Sequence, residues 1–268
     1  MMNFTLINAI FDGQQKQGIG TALELVNSSL LAERSSFISN INGGAVVVNG
    51  STATFINCNL EGNHAEFGGA IYGNLSSIIT VINSTFNHNS ATERGGAIFI
   101  GALTIKNNET ERGILSILGS KFFHNKATIK CGGGLAVFYA NVSIQESKFT
   151  NNTAKSSGGA LFTNESGIVN ISGTDFSDNS ATYDCGGAVH VLMSMLFVFD
   201  STFSQNFNYY GGALCLLWST NELHDCRFNF NKAIKLGGAI YTQNSRHEYI
   251  VRCIFTRTER CREDNENL

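Results

Sequence analysis

The sequence predicts an all-β fold, a right-handed parallel β-helix of about ten coils with 25–27 residues in each. Three observations carry the solenoid. Two linked phrases recur at one period along the chain, residues within each phrase alternate with a period of two, and proline is absent from all 268 positions. Proline supplies no backbone donor, so a chain without it suits strands that are bonded on both sides.

The first phrase, Gly-Gly-[Ala/Gly]-aliphatic, begins at Gly43, Gly68, Gly95, Gly132, Gly158, Gly186, Gly211 and Gly237. Successive copies are 25, 27, 37, 26, 28, 25 and 26 residues apart. The second, F-x-x-N, falls between them at Phe37/Asn40, Phe86/Asn89, Phe122/Asn125, Phe149/Asn152, Phe176/Asn179, Phe203/Asn206 and Phe228/Asn231. Leu60/Asn63 is the same phrase with leucine, and Phe255/Thr258 is a degraded last copy. Self-similarity at a fixed period of 20–50 residues is the mark of a solenoid. A catalytic motif would be written once.

The local pattern decides which solenoid. Val142, Ile144, Ser147, Phe149 and Asn152 align with Val169, Ile171, Thr174, Phe176 and Asn179, and again with Leu196, Val198, Ser201, Phe203 and Asn206. Steps of two imply strands, and odd steps imply bends between them. Parallel strands stack about 4.8 Å apart, so equivalent residues of successive coils form columns and ten coils reach roughly 45–50 Å. Each column then has a physical cause. Phenylalanines stack inside the coil. The asparagines Asn40, Asn63, Asn89, Asn125, Asn152, Asn179, Asn206 and Asn231 form an internal ladder, each amide donating to the next. The Ser/Thr/Cys column two residues before the phenylalanine needs a small side chain beside the bend. Gly-Gly permits positive φ at a sharp corner.

With these residues in view, the chain resembles the polymorphic outer-membrane proteins of chlamydiae, whose repeat signature is GGA[ILV] paired with FxxN. The resemblance covers about residues 35–258. It departs at Gly134 for alanine, Leu60 for phenylalanine and Thr258 for asparagine. It implies the right-handed β-helix shared with pectate-lyase-like proteins and an extracellular, surface-displayed or adhesin role, in the outer membrane if the source is bacterial. It implies no chemistry.

The organisation is one repeat domain over residues 1–258, with a decayed first coil over about 1–34 and a loop insertion near 101–112, followed by a charged tail over 259–268. Neither end shows an obvious cap, so the chain reads as a piece of a longer repeat protein whose signal and anchor lie elsewhere. The longest apolar run, Val191–Phe199, is nine residues, too short for a spanning helix. A net charge of −3 and no basic cluster argue against nucleic-acid binding. Ten N-x-[ST] sequons, at Asn3, Asn27, Asn49, Asn74, Asn83, Asn108, Asn141, Asn151, Asn164 and Asn170, favour a secreted glycoprotein if the source is eukaryotic.

The search for chemistry starts with carboxylates, because many pectate-lyase-like proteins act on polysaccharides. Glu66 and Glu93 both lie two residues before Gly-Gly on neighbouring coils, about 5 Å apart, a separation that suits a retaining glycosidase pair. The rest of that column is Lys130, Ser156, Asp184, Tyr209 and Lys235, which offers no shared environment, so the pair reads as solvated turn residues. His88 and His124 stack in one column without a third metal ligand. Of the seven cysteines, Cys226 and Cys253 share a column on adjacent coils and can form a disulfide, or can remain free thiols in a small-residue column. No cofactor is expected.

Binding is the remaining class. The residue after Gly-Gly-Ala is always aliphatic, from Val46 to Ile240, and should point inward. The following position then points outward and carries four aromatics, Tyr72, Phe99, Phe162 and Tyr241, as a stripe for a glycan or a protein partner. Reversed parity would place those rings in the core. The expected function is therefore a non-catalytic surface or secreted repeat domain that serves adhesion or acts as a stalk. The alternative is a carbohydrate-active β-helix enzyme, either a polysaccharide lyase or a glycoside hydrolase.

Overall fold

Each coil opens with alternating aliphatic residues, and in the structure, a computed structural model, these form a ten-stranded parallel sheet running from Met2–Ile7 to His247–Val251. Residues 2–13, 21–74, 76–101 and 112–260 are described. Most of the 101–112 insertion, the Gly18 region of the first coil and the tail beyond 260 lie outside the described residues. Among the described residues every element is a strand.

The chain passes through four faces per coil. After the aliphatic strand a left-handed residue such as Asn83, Glu146 or Asp200 turns the corner, with φ of 47–49°. A three-residue strand follows, carrying the phenylalanine, and ten of these stack from Ile10–Asp12 to Ile254–Thr256. A second left-handed residue, for example His88, His124 or Asp178, leads into the asparagine and a short face of eight strands. Gly-Gly then turns the chain into a nine-stranded sheet running from Leu23–Val26 to Ile240–Gln243. In this turn the first glycine has φ near +60°, as at Gly68 (+58°) and Gly95 (+66°). A Cβ on the second would collide with backbone oxygens of its own coil's neighbour, as at Gly69 against Gly96 and Ser90. The pair is therefore required twice over, once for its dihedral angle and once for its lack of a side chain.

Residues in one column pair directly. Val142 and Ile144 sit beside Val169 and Ile171, which sit beside Leu196 and Val198. All six are buried. The phenylalanine rings stack nearly parallel at 4.5–5.0 Å from Phe86 to Phe255, with interplanar angles of 2–11°. Each such contact adds about 0.5–1.5 kcal/mol beyond its burial. Leu60 interrupts the stack. Phe55, on the aliphatic face of the same coil, fills the vacated volume and meets Phe37 edge-on at 6.1 Å.

The asparagine column is fully bonded. Asn125 Nδ2 donates to Asn152 Oδ1 at 3.0 Å and to the Phe86 carbonyl at 3.0 Å. Asn152 Oδ1 also accepts the Asn125 backbone N–H at 3.1 Å. The same triple contact joins Asn63 to Asn89, Asn89 to Asn125, Asn152 to Asn179, Asn179 to Asn206 and Asn206 to Asn231. Every polar atom of these side chains has a partner, which is what burial demands. The Ser/Thr column forms a second ladder that column size alone did not foretell. Ser84 Oγ accepts the Cys58 N–H at 3.0 Å and donates to the Ile82 carbonyl at 2.8 Å, and Ser120 Oγ accepts the Ser84 N–H at 3.0 Å. The position calls for a small side chain that can donate to a backbone carbonyl, a role that Cys58 fills with its thiol.

Candidate functional site

Two places stand out from this regular frame, a covered seam on the outside of the Gly-Gly-Ala sheet and an open groove at one of its corners. The seam arises from the way Gly-Gly folds the chain back. The residue before each pair forms its own column, Phe67, Arg94, Cys131, Ser157, Cys185 and Tyr210, and from Arg94 onward its carbonyl accepts a glycine N–H from the coil before. Its side chains lie over the outward residues of the next coil. The Phe67 ring is 5.4 Å from Phe99, Tyr210 is 5.2 Å from Tyr241, and Cys185 is bonded to Cys215.

This geometry corrects the expectation of an exposed aromatic stripe. The neighbours Ile98 and Ile100 belong to the interior cluster and Phe99 does not, so the outward parity of Phe99 stands. Phe99 is nevertheless fully buried, Phe162 is 8% exposed, and Tyr72 and Tyr241 are half-buried. Phe99 is covered by Phe67, Tyr72 and Phe138, and Phe162 by Phe138 and His190. The stripe is a thin second core. It offers little surface to a partner.

His190 is the odd member of the seam. It is 3% exposed, its ring meets Phe162 edge-on at 5.1 Å, and neither ring nitrogen has a hydrogen-bond partner. Burial pushes its pKa down to about 4, against a weaker opposing pull from Asp184. It is neutral at pH 7. One ligating atom each of Cys185, His190 and Cys215 lie within 4.8 Å of one another, the group among the described residues with metal-ligand character.

The disulfide is not the Cys226–Cys253 pair that the sequence allows, and those two cysteines take the free-thiol alternative. Cys185 and Cys215 are joined, with Cα atoms 5.5 Å apart. Cys226 and Cys253 are free and occupy the hydroxyl ladder, where Cys226 Sγ donates to the His224 carbonyl at 3.2 Å and Cys253 Sγ to the Val251 carbonyl at 3.4 Å. Burial pushes the Cys226 thiol up to about 12. Their shared column points them at backbone carbonyls, as the serines above them do. Cys185 and Cys215 belong to different columns, so comparison within columns missed them. The signal was the fold-back at Gly-Gly, which sets the residue before one pair against the residue beyond the next.

The remaining sequence candidates are placed as follows. The pairing of this face slips between Ala91 and Arg94, so Glu66 and Glu93 are not in simple register. Glu93 forms an ion pair with Lys130 at 2.5 Å. His88 and His124 stack at 4.8 Å on a left-handed corner.

The groove, of about 770 Å³, lies where the Gly-Gly-Ala sheet turns into the aliphatic sheet. Its apolar floor holds Met193, Met195 and Trp218, which are 46%, 42% and 55% exposed. Arg112, Asn244 and Arg246 also line it. Met193 and Trp218 occupy one left-handed corner column, with φ of 48° and 47°. That conformation is uncommon for bulky residues and orients both side chains away from the coil. Arg112 is fixed by donation from Nη1 to the Glu165 carbonyl at 2.7 Å. No sequence pattern had marked this groove, because Trp218 and Met193 fall at a corner that the repeat leaves variable.

Residues 83–101 and 146–164 match the Chlamydia polymorphic membrane protein repeat. Each matched segment holds one phenylalanine of the interior stack, Phe86 or Phe149, one ladder asparagine and one Gly-Gly-Ala corner. The chain carries repeats of the Pmp type on a parallel β-helix. The probable outer membrane protein pmp6 of Chlamydia pneumoniae is 26% identical over 124 residues, covering 43% of this chain and 8% of that protein. The metabotropic glutamate receptor-like protein R of Dictyostelium discoideum is 31% identical over 200 residues, covering 71% of this chain and 12% of that protein. The chain thus spans about a tenth of the length of the curated relatives it matches. No solved structure matches it.

Proposed function

We propose that this Pmp-type solenoid is a non-catalytic segment of a cell-surface protein, and that its Trp218 groove binds an acidic glycan. The observation that carries the reading is the grouping of an exposed indole with two arginines at one corner of a rigid scaffold. An indole presents an apolar face on which a sugar ring can lie, with an N–H at its edge. A guanidinium fork matches a carboxylate or sulfate in two-point fashion. The sugar rings and their anions are therefore both provided for. Surface display is supported by the relatives, whose names describe an outer membrane protein and a receptor-like protein. The ten sequons are consistent with it.

The test is binding of the purified chain to immobilised uronic-acid and sulfated polysaccharides, beside neutral ones. Trp218→Ala and Arg246→Ala should each weaken retention on the acidic polymers while leaving the melting temperature within about 2 °C, because exposed substitutions usually change stability by less than ~0.5 kcal/mol. Equal retention of wild type and variants would refute the groove. Release of reducing or unsaturated sugar ends during incubation would refute the non-catalytic reading.

A further inference from the structure

The Cys185–His190–Cys215 group is not explained by adhesion, and it is built in an unusual way. A disulfide that only stapled two coils would need no histidine beside it. His190 instead brings two hydrogen-bonding nitrogens into a dry seam and leaves both without a partner. A buried polar group without a partner costs free energy comparable to a lost hydrogen bond, so such a group calls for an explanation. We propose that this seam is a redox-gated zinc site, closed as the Cys185–Cys215 disulfide and able to take one Zn²⁺ on Cys185, Cys215 and His190 once that bond is reduced.

The distances allow it. Zinc bonds to sulfur at about 2.3 Å and to imidazole nitrogen at about 2.0–2.1 Å, so tetrahedral ligand atoms are roughly 3.6–3.8 Å apart. The three atoms already lie within 4.8 Å of one another, so the sulfurs need only separate as their bond opens. The Cα atoms, 5.5 Å apart, are held by backbone pairing, Cys215 beside His190 in the Gly-Gly-Ala sheet and Cys185 in a bridge to Tyr210. Charge selects the ion. Two thiolates and a neutral imidazole around Zn²⁺ sum to zero, whereas Cu⁺ would leave one net negative charge in a seam that already faces Asp184. Burying an unbalanced charge is costly. Hard ions such as Mg²⁺ and Ca²⁺ are excluded because they prefer oxygen ligands. A neutral water would complete four-coordination without changing that sum.

The steps balance. A dithiol delivers two electrons and two protons to the S–S bond, giving two thiols as it closes to its own disulfide; in the laboratory a phosphine delivers the electrons and becomes its oxide, with one water supplying the oxygen and both protons. Zn²⁺ then displaces those two protons as two S–Zn bonds form. Reoxidation by a disulfide reverses both steps and expels the ion.

The test uses the full chain under a phosphine reductant, titrated with Zn²⁺ and separately with Co²⁺, whose thiolate charge-transfer and tetrahedral ligand-field bands report its coordination. The reduced chain should bind one Zn²⁺ with release of about two protons. With Co²⁺ it should show sulfur–metal bands, and the untreated chain should show neither. Cys185→Ser and His190→Ala should weaken binding by roughly tenfold or more, since even outer contacts to a metal ligand carry 10–100-fold. Cys131→Ser, in the same column two coils away, should not. His190→Gln, nearly isosteric, controls for folding through its circular dichroism. Equal Zn²⁺ affinity in the Cys185→Ser and wild-type chains would overturn the proposal, as would bands that survive loss of His190 or uptake by the oxidised chain.

Discussion

A single ladder asparagine shows how much one side chain does here. Asn152 accepts from the Asn125 N–H and Nδ2, and donates to the Phe122 carbonyl and to Asn179 Oδ1. Asn152→Leu keeps the volume and removes four buried hydrogen bonds. The expected loss is about 3 kcal/mol or more, read as a drop in the urea midpoint at unchanged slope. His190 supports a prediction of a different kind for the disulfide-bonded protein. Its folded pKa, about 4, lies below the ordinary histidine value of 6.5, so between those values the unfolded chain binds more protons than the folded one. Stability contributed by the neutral ring is fully present above pH 6.5 and is lost as pH falls towards 4, by about 3 kcal/mol at most. His190→Phe should flatten that part of the stability–pH curve. An unchanged slope would mean that water reaches the ring.

At the scale of the strand and the column, Leu60 and Phe55 illustrate how one coil conserves volume by exchanging sizes between faces. Leu60→Phe alone would complete the phenylalanine stack beside an already filled space, at a cost of about 1–3 kcal/mol from overpacking. Adding Phe55→Val, the residue type found at Val81 and Val198 of that column, should recover most of the loss in the same denaturant assay. This scale also shows what could be read from the sequence. The strands, their order and the inward columns were legible because each repeat states them again, and Phe149, Phe176 and Phe203 differ in nothing but coil number. The burial of Phe99 and the Cys185–Cys215 bond were not legible. Both depend on a turn that lays one column over another, and alternation within a strand carries no information about what covers its outer side. Trp218 escaped notice for a related reason. Corner positions tolerate Asn27, Tyr139, Glu165, Met193 and Trp218 alike, so no pattern singles out the one that gathers two arginines.

Across the whole molecule, stability should vary along the axis rather than switch as one unit, since each coil touches only its neighbours. Interior-column residues at both ends of the described stack are open to solvent, among them Phe4 and Phe255, while Phe122, Phe149 and Phe176 are sealed. Amide hydrogen exchange should therefore be slowest over residues 115–231 and should quicken towards both ends. Uniform protection throughout would show a single cooperative unit instead. The asparagine ladder adds a property that no single coil possesses. Each asparagine from Asn40 to Asn206 donates to the asparagine of the following coil, and each from Asn63 to Asn231 accepts from that of the preceding one, while a second donation returns to a carbonyl of the coil before. The column is thus a vector: one face of the stack presents acceptors and the other donors. A neighbouring β-helix could extend it head to tail, with its acceptor face on the donor face, whereas two like faces brought together would confront lone pair with lone pair or hydrogen with hydrogen.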